Sequence, residues 1–285
     1  MFGIDRQVYY RSIKRKILKQ SKSEQVILMV RKIRMKMPRI GTRKLYYLLN
    51  QELRALKIGR DMFFNILKVN HLLISPKRSY HITTNSYHRF KKHKNLIENL
   101  KIIRPEQVWV SDITYIGKRS KPCYLSLVTD AYSKRIMGFN VATNLNAENS
   151  LKALQMALKS RKNSCLSLIH HSDRGIQYCS DEYQKVIRKT KNLRCSMTES
   201  YDPYQNAVAE RVNGILKQEF LVDRYNDQQL NIIKLVVKES IQIYNLVRPH
   251  CSNHMLTPMQ MHQQKEIEMK TYKTKNRSNH EATSV

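Results

Sequence analysis

The stretch Val108-Trp109-Val110-Ser111-Asp112-Ile113-Thr114-Tyr115-Ile116 marks the point where the chain changes character. Before it, apolar residues recur at helical spacing. From it onward they alternate. The nonapeptide is rich in β-branched and aromatic side chains, which suit an extended, half-buried backbone. Period-2 alternation puts Val108, Val110, Asp112, Thr114 and Ile116 on one face. Asp112 is thus an acid among apolar neighbours in mid-strand, which is costly unless it is paired or binds a cation. On this stretch alone, a carboxylate satisfied by a nearby Arg or Lys is the favoured reading.

Downstream, Cys123 to Asp130 reads as a second strand and Arg135 to Ala142 as a third. Asn146 to Lys159 reads as a helix with Leu151, Leu154 and Leu158 on one face. Leu166 to His170 is a short buried strand, Asp181 to Lys189 a helix, and Asn206 to Phe220 a longer one. Residues 228–247 form another helix, and a short helical run follows Thr257-Pro258. Three consecutive strands, a helix, a strand and further helices predict an α/β domain whose first strands form a meander.

Upstream, the chain is helical and basic. Glu24 to Met35 carries Val26, Ile27, Val30 and Ile33 at helical spacing, and Pro38 and Gly41 end it. Thr42 is expected to cap a second helix with Leu45, Leu48, Leu49 and Leu53 on one stripe. After Gly59, Asp61 can cap a third helix containing Phe63, Phe64, Ile66 and Leu67. This is the pattern of a helix-turn-helix DNA reader, and equally of a small bundle with a solvated basic face. Both readings stay open. Residues 75–104 read as a basic linker. His81, His88 and His93 have no Cys nearby and no zinc-finger spacing, so phosphate-contacting or solvated histidines are favoured over a zinc site.

The 285 residues include 52 Lys and Arg against 22 Asp and Glu, a formal net charge of +30. Residues 1–104 hold 26 of the basic side chains and only 5 of the acidic ones. Such a surplus self-repels unless a polyanion neutralises it, so a phosphate backbone is the expected partner. With 41% hydrophobic residues a core can form, which argues against wholesale disorder. No apolar run approaches the roughly 20 residues that span a bilayer, and the charged N-terminus lacks the apolar stretch of a signal peptide. Five widely spaced cysteines without a Cys-x-x-Cys pair argue against a disulfide framework and fit a reducing cytoplasm.

Two further segments join Asp112. His170-His171-Ser172-Asp173-Arg174-Gly175-Ile176-Gln177-Tyr178 follows a strand end, where ligands gather in open α/β sheets. An Asx turn closing the strand is the plainer alternative. In Asn206-Ala207-Val208-Ala209-Glu210-Arg211-Val212-Asn213-Gly214-Ile215-Leu216-Lys217, the residues Asn206, Glu210, Asn213 and Lys217 share one helical face. That polar stripe is expected to face outward while Val208, Val212, Ile215, Leu216 and Phe220 pack on the sheet. Two aspartates and a glutamate from separate elements suit a two-metal site. Magnesium prefers a few carboxylate oxygens plus waters and phosphates, and a metal pair can serve in-line phosphoryl transfer.

With these motifs in this order, the chain resembles the OrfB-type transposases of the insertion-sequence-three family, bacterial relatives of retroviral integrases. Arg39-Ile40-Gly41-Thr42-Arg43-Lys44-Leu45 and Ile58-Gly59-Arg60 extend the likeness upstream. Tyr244-Asn245, Arg248-Pro249-His250 and Thr257-Pro258 extend it downstream, to about residue 262. The resemblance implies an RNase H-like core, a mixed five-stranded sheet with helices, preceded by the basic helix-turn-helix-like region. It implies a metal-binding triad of Asp112, Asp173 and Glu210 holding two magnesium ions, with manganese able to substitute. It implies DNA cleavage and joining of a freed 3′-hydroxyl to a phosphodiester.

Expected DNA contacts are Lys217, Asn213, Asn206, Arg43, Lys44 and Arg60. The boundaries read as 1–74 for DNA binding, 75–104 linker, 105–225 catalytic core, 226–264 helical extension and 265–285 a polar, disordered tail. Expected partners are transposon ends, target DNA and further copies of the chain, in a bacterial cytoplasm at the nucleoid. The family also implies an upstream reading frame supplying another helix-turn-helix and a coiled coil, and this chain shows no leucine heptads of its own.

The sequence departs from the family in places. Between Asp173 and Glu210 lie 36 residues, one more than the family's usual gap, and the loop around Lys191 to Arg194 is the expected place for the extra one. Asp202-Pro203-Tyr204-Gln205-Asn206 replaces a more common adjacent Asp-Asn pair. Two other functions fit the residues: a DNA-binding regulator without catalysis, and an RNase H-type nuclease that cuts without joining.

Overall fold

A computed structural model describes residues 6–75, 93–98, 100–117, 122–199, 206–225, 228–264 and 267–270. Most of the expected linker, including His81 and His88, lies outside the described residues, as do Asp202 to Gln205 and nearly all of the polar tail.

The elements run α1 (Arg6–Lys36), α2 (Thr42–Leu48), α3 (Asn50–Ala55), α4 (Arg60–Val69), β1 (Val108–Ile116), β2 (Cys123–Asp130), β3 (Ile136–Ala142), α5 (Ala147–Ser160) and β4 (Leu168–Ser172). They continue with α6 (Ile176–Cys179), α7 (Asp181–Lys189), β5 (Leu193–Met197), α8 (Ala207–Gln218), α9 (Leu230–Leu246) and α10 (Pro258–His262). The sheet order is β3-β2-β1-β4-β5. The first three strands are an antiparallel meander, and β4 and β5 add parallel to β1. This is the mixed five-stranded sheet expected of the core.

β1 is the central strand, so both of its faces are covered where the sheet is complete. Val108, Trp109 and Val110 are at most 3% exposed. Trp109 packs with Ala153, Leu154 and Ala157 of α5 and Tyr183 of α7. Val108 and Val110 point the other way, towards Ala209 of α8. By the same alternation Asp112 lies on the α8 side. Gly138 of β3 lets α5 sit hard against the sheet: a Cβ there would meet the Ala153 carbonyl oxygen at 2.1 Å.

The helices of the basic N-terminal region do not form a separate globule. Val26, Val30, Ile40, Leu45 and Phe63 share one buried cluster with Leu125 of β2, Val212, Ile215 and Leu216 of α8, and Ile233 and Val237 of α9. The C-terminal extension is tied to the sheet by polar side chains. Asn245 accepts from the Ile136 N–H and donates to the Ile136 carbonyl, both at 3.0 Å, as a paired strand would. Tyr244 donates to the Lys134 carbonyl at 2.8 Å. Thr257 and Gln260 form a capping box on α10, with Pro258 in the first turn. His262 reaches the buried Ser133 hydroxyl at 3.0 Å, beside Glu106 and Asp130.

Several local expectations change. α1 begins at Arg6, not near Glu24, and only Val26 and Val30 of it are buried. Gly41 and Gly59, not Thr42 and Asp61, occupy the N-cap positions of α2 and α4. The single helix expected after Thr42 breaks at Leu49 into α2 and α3. β4 runs two residues past His170, so His171 and Ser172 belong to the strand. Leu193 and Arg194 lie in β5, which leaves residues 190–192 as the preceding loop. Among the described residues no helix is long and apolar enough to cross a membrane.

Candidate active site

Three elements deliver the acids. β1 carries Asp112 at the point where its burial begins to loosen. β4 ends at Ser172, and Asp173 follows directly at the carboxyl end of the strand. β1 and β4 are parallel neighbours with Ser111 opposite Ser172, so the next residue of each strand emerges at the same end of the sheet. Glu210 lies in the first turn of α8, exposed, over that end.

The structure brings α8 onto β1 through its amides. Asn213 donates to Asp112 Oδ2 at 2.7 Å, and Asn206 donates to the Ser111 carbonyl at 3.2 Å. The Ile113 N–H holds the other oxygen of Asp112 at 2.9 Å. Asp173 Oδ1 accepts from the Gly175 N–H at 3.0 Å, closing the turn after β4. Gly175 has φ −62°, an ordinary value, so its need is for space. A Cβ there would sit 3.0 Å from the Asp173 carboxylate.

Asp112 lies within electrostatic reach of the other two acids. Burial, then the charge of Asp173, then that of Glu210, push the Asp112 carboxyl up to about 7 against the hydrogen bond from Asn213. Burial alone raises Glu210. Among the described residues no group of three or more His, Cys, Asp or Glu side chains is placed to hold a metal ion. Asp112, Asp173 and Glu210 bring carboxylate oxygens from three separate elements, the donor chemistry that magnesium prefers alongside waters and phosphates. A cation beside Asp112 would offset the repulsion that raises it.

Lys217 stands two turns beyond Glu210, with Nζ 4.7 Å from the centre of the Tyr115 ring. Burial lowers its pKa, while the charges of Asp223 and Asp112 oppose that shift. Lys217 therefore lies within electrostatic reach of Asp223 and Asp112. The outward-facing stripe itself is corrected. Asn206 and Asn213 are 7% and 4% exposed and spend their amide donors on the Ser111 carbonyl and on Asp112, so the stripe turns inward at these two positions. Lys44 is corrected too: it is 9% exposed and its ammonium lies 2.6 Å from Glu219. Arg43 and Arg60 are exposed on the basic helical region.

Beneath the acids lies a support that residue patterns did not reveal. His170 Nε2 is 2.8 Å from Ser111 Oγ and 2.9 Å from the Tyr183 hydroxyl, bracing β1, β4 and α7. Burial, then the neighbouring His171, hold its imidazole down to about 3, so it stays neutral. The only advance signal was the His170-His171 pair ahead of Asp173.

The integrase core domain family matches residues 103–203, and a second integrase core family matches residues 191–258. The chain is 33% identical over 265 residues to an insertion element IS600 31 kDa protein of Shigella sonnei, spanning 90% of this chain and 94% of that one. It is 32% identical over 200 residues to transposase InsF of insertion sequence IS3fB from Escherichia coli, spanning 70% and 68%. The HTLV-2 integrase catalytic core domain, solved with magnesium, covers 56% of this chain and 98% of its own, at 17% identity and a TM-score of 0.45.

Proposed function

Because this chain belongs to the insertion-sequence-three family of DDE transposases, we propose that Asp112, Asp173 and Glu210 are its catalytic acids. What supports this reading is the placement of Asp112 on β1, Asp173 directly after the neighbouring parallel strand β4, and Glu210 on α8, which is bonded to β1 through Asn206 and Asn213. The three acids would hold magnesium. When bound, the ions supply charge for a phosphodiester undergoing in-line attack, by a DNA 3′-hydroxyl in joining.

The chain's own residues do the rest. Asn213 and the Ile113 N–H fix both oxygens of Asp112, so the carboxylate needs little reorganisation. The Gly175 N–H fixes Asp173 in the same way. Lys217, beside Tyr115, offers a cation to the DNA near the reacting phosphate. Arg43 and Arg60, exposed on the basic helices, bind phosphates farther along the duplex. The working complex contains several copies of the chain, bridging transposon ends and target DNA. It acts in the cytoplasm on the nucleoid.

A strand-transfer assay tests this. Labelled duplex ending in the inverted repeat that flanks this reading frame is incubated with the full chain, target plasmid and magnesium. The reading predicts joined product. Cut product without joining would mark a nuclease, and binding without cleavage a regulator; either would overturn it.

A further inference from the structure

Two motifs flanking the core have no part in the chemistry above: Arg43-Lys44 in α2 and Arg248-Pro249-His250 after α9. The structure joins them on one residue. Glu219, just past α8, accepts from Lys44 Nζ at 2.6 Å, from Arg248 Nε at 2.7 Å and from Arg248 Nη2 at 2.8 Å. Its backbone carbonyl accepts from the Arg39 N–H at 3.0 Å. Arg248 is 1% exposed, and Lys44 is buried. Glu219 thus ties together the basic region, the end of the catalytic helix and the C-terminal extension.

A buried ion cluster is an inefficient way to gain stability, because desolvation offsets most of the attraction. What it provides is one geometry. The fork of Arg248 matches a carboxylate in a single orientation, and Lys44 fixes the third direction. α8 is then pinned at both ends: Asn206 and Asn213 hold its start and middle on β1, and Glu219 holds its finish. Glu210 and Lys217 sit between or beside these pins on one rigid helix. A shift of α8 along its axis at Glu219 is the same shift at Glu210.

We infer that Glu219 is a positioning residue that aligns Glu210 and Lys217 for cleavage by locking α8 to Lys44 and Arg248. The inference rests on the proposed catalytic triad. It gives the two outlying motifs a role in the reaction without contact with reacting atoms. It also makes the seating of the DNA-binding region, through Lys44, part of the alignment of the site.

The test is single-turnover cleavage by the full chain in excess over a labelled terminal-repeat duplex, comparing wild type, Glu219→Gln, Lys44→Met and Asp112→Asn. In excess enzyme, partial unfolding lowers available protein but leaves the rate constant of saturated complexes unchanged. Glu219→Gln should lower that constant by about 10- to 100-fold, as sub-ångström misplacement does, with duplex Kd within about twofold of wild type. Lys44→Met, which leaves the Arg248 fork in place, should lower it by about threefold or more. This second variant carries the test if the first fails to fold. A wild-type rate constant in a folded Glu219→Gln, or in Lys44→Met, overturns the inference. Asp112→Asn cleaving like wild type would instead overturn the triad, and the inference with it.

Discussion

Replacing Glu219 by Gln should destabilise the protein at neutral pH and do so progressively less in acid. Burial alone would push this carboxyl up. The hydrogen bonds and charge of Arg248, then those of Lys44, outweigh it and hold the group down to about 2, from an ordinary 4.5. The side chain is 16% exposed, so solvent screens the pair only weakly. A depression of that size corresponds to about 3 kcal/mol favouring the folded state. Because the folded pKa is the lower one, this contribution is complete above the unfolded value of 4.5. It is lost as pH falls from there towards 2. Urea unfolding of wild type and Glu219→Gln at pH 7, 5, 4 and 3 measures it. The stability gap should hold between pH 7 and 5, then narrow by about 2 kcal/mol by pH 3. A gap that stays constant across the series would refute the ionic account of this junction.

Gly138→Ala drives a methyl into the backbone of α5, 2.1 Å from the Ala153 oxygen and 2.7 Å from the Ala157 nitrogen. It should cost about 1–3 kcal/mol or more and lower the thermal midpoint by several degrees; an unchanged midpoint would contradict the close packing. Lys217→Ala should reduce crosslinking to the terminal bases while leaving plasmid binding intact, and undiminished crosslinking would remove Lys217 from the DNA interface. Binding of the full chain to duplex should weaken steeply with salt, as expected of a chain with net charge +30. A flat log-log plot would mean that phosphates are not the main contact.

Much of the core was readable from residues because its strands are chemically extreme. β1 and β2 are dense in β-branched and aromatic side chains, and their observed limits match the expected ones. β5 was not placed by the residues, although the resemblance implied a fifth strand, because Leu193-Arg194-Cys195-Ser196-Met197 is short and mixed in polarity. The first half of α1 was missed because Val8, Tyr9, Tyr10 and Ile17 are all exposed, so no buried stripe marks it. Periodicity grouped Asn206, Glu210, Asn213 and Lys217 correctly on one stripe of α8. It could not tell that Asn206 and Asn213 turn inward, because that depends on the height of β1 beneath them. Lys44 shows the same limit: a cation in a basic stretch reads as surface until its partner, 175 positions away, is brought to it.

Asp112, Asp173 and Glu210 are proposed as one metal-dependent catalytic unit. Its most direct test is magnesium-dependent strand transfer by Asp112→Asn, Asp173→Asn and Glu210→Gln, each checked for terminal-repeat binding. Loss of joined product in all three, with binding retained, is the predicted result. Magnesium-dependent joining at the wild-type rate by any one of them would contradict the assignment.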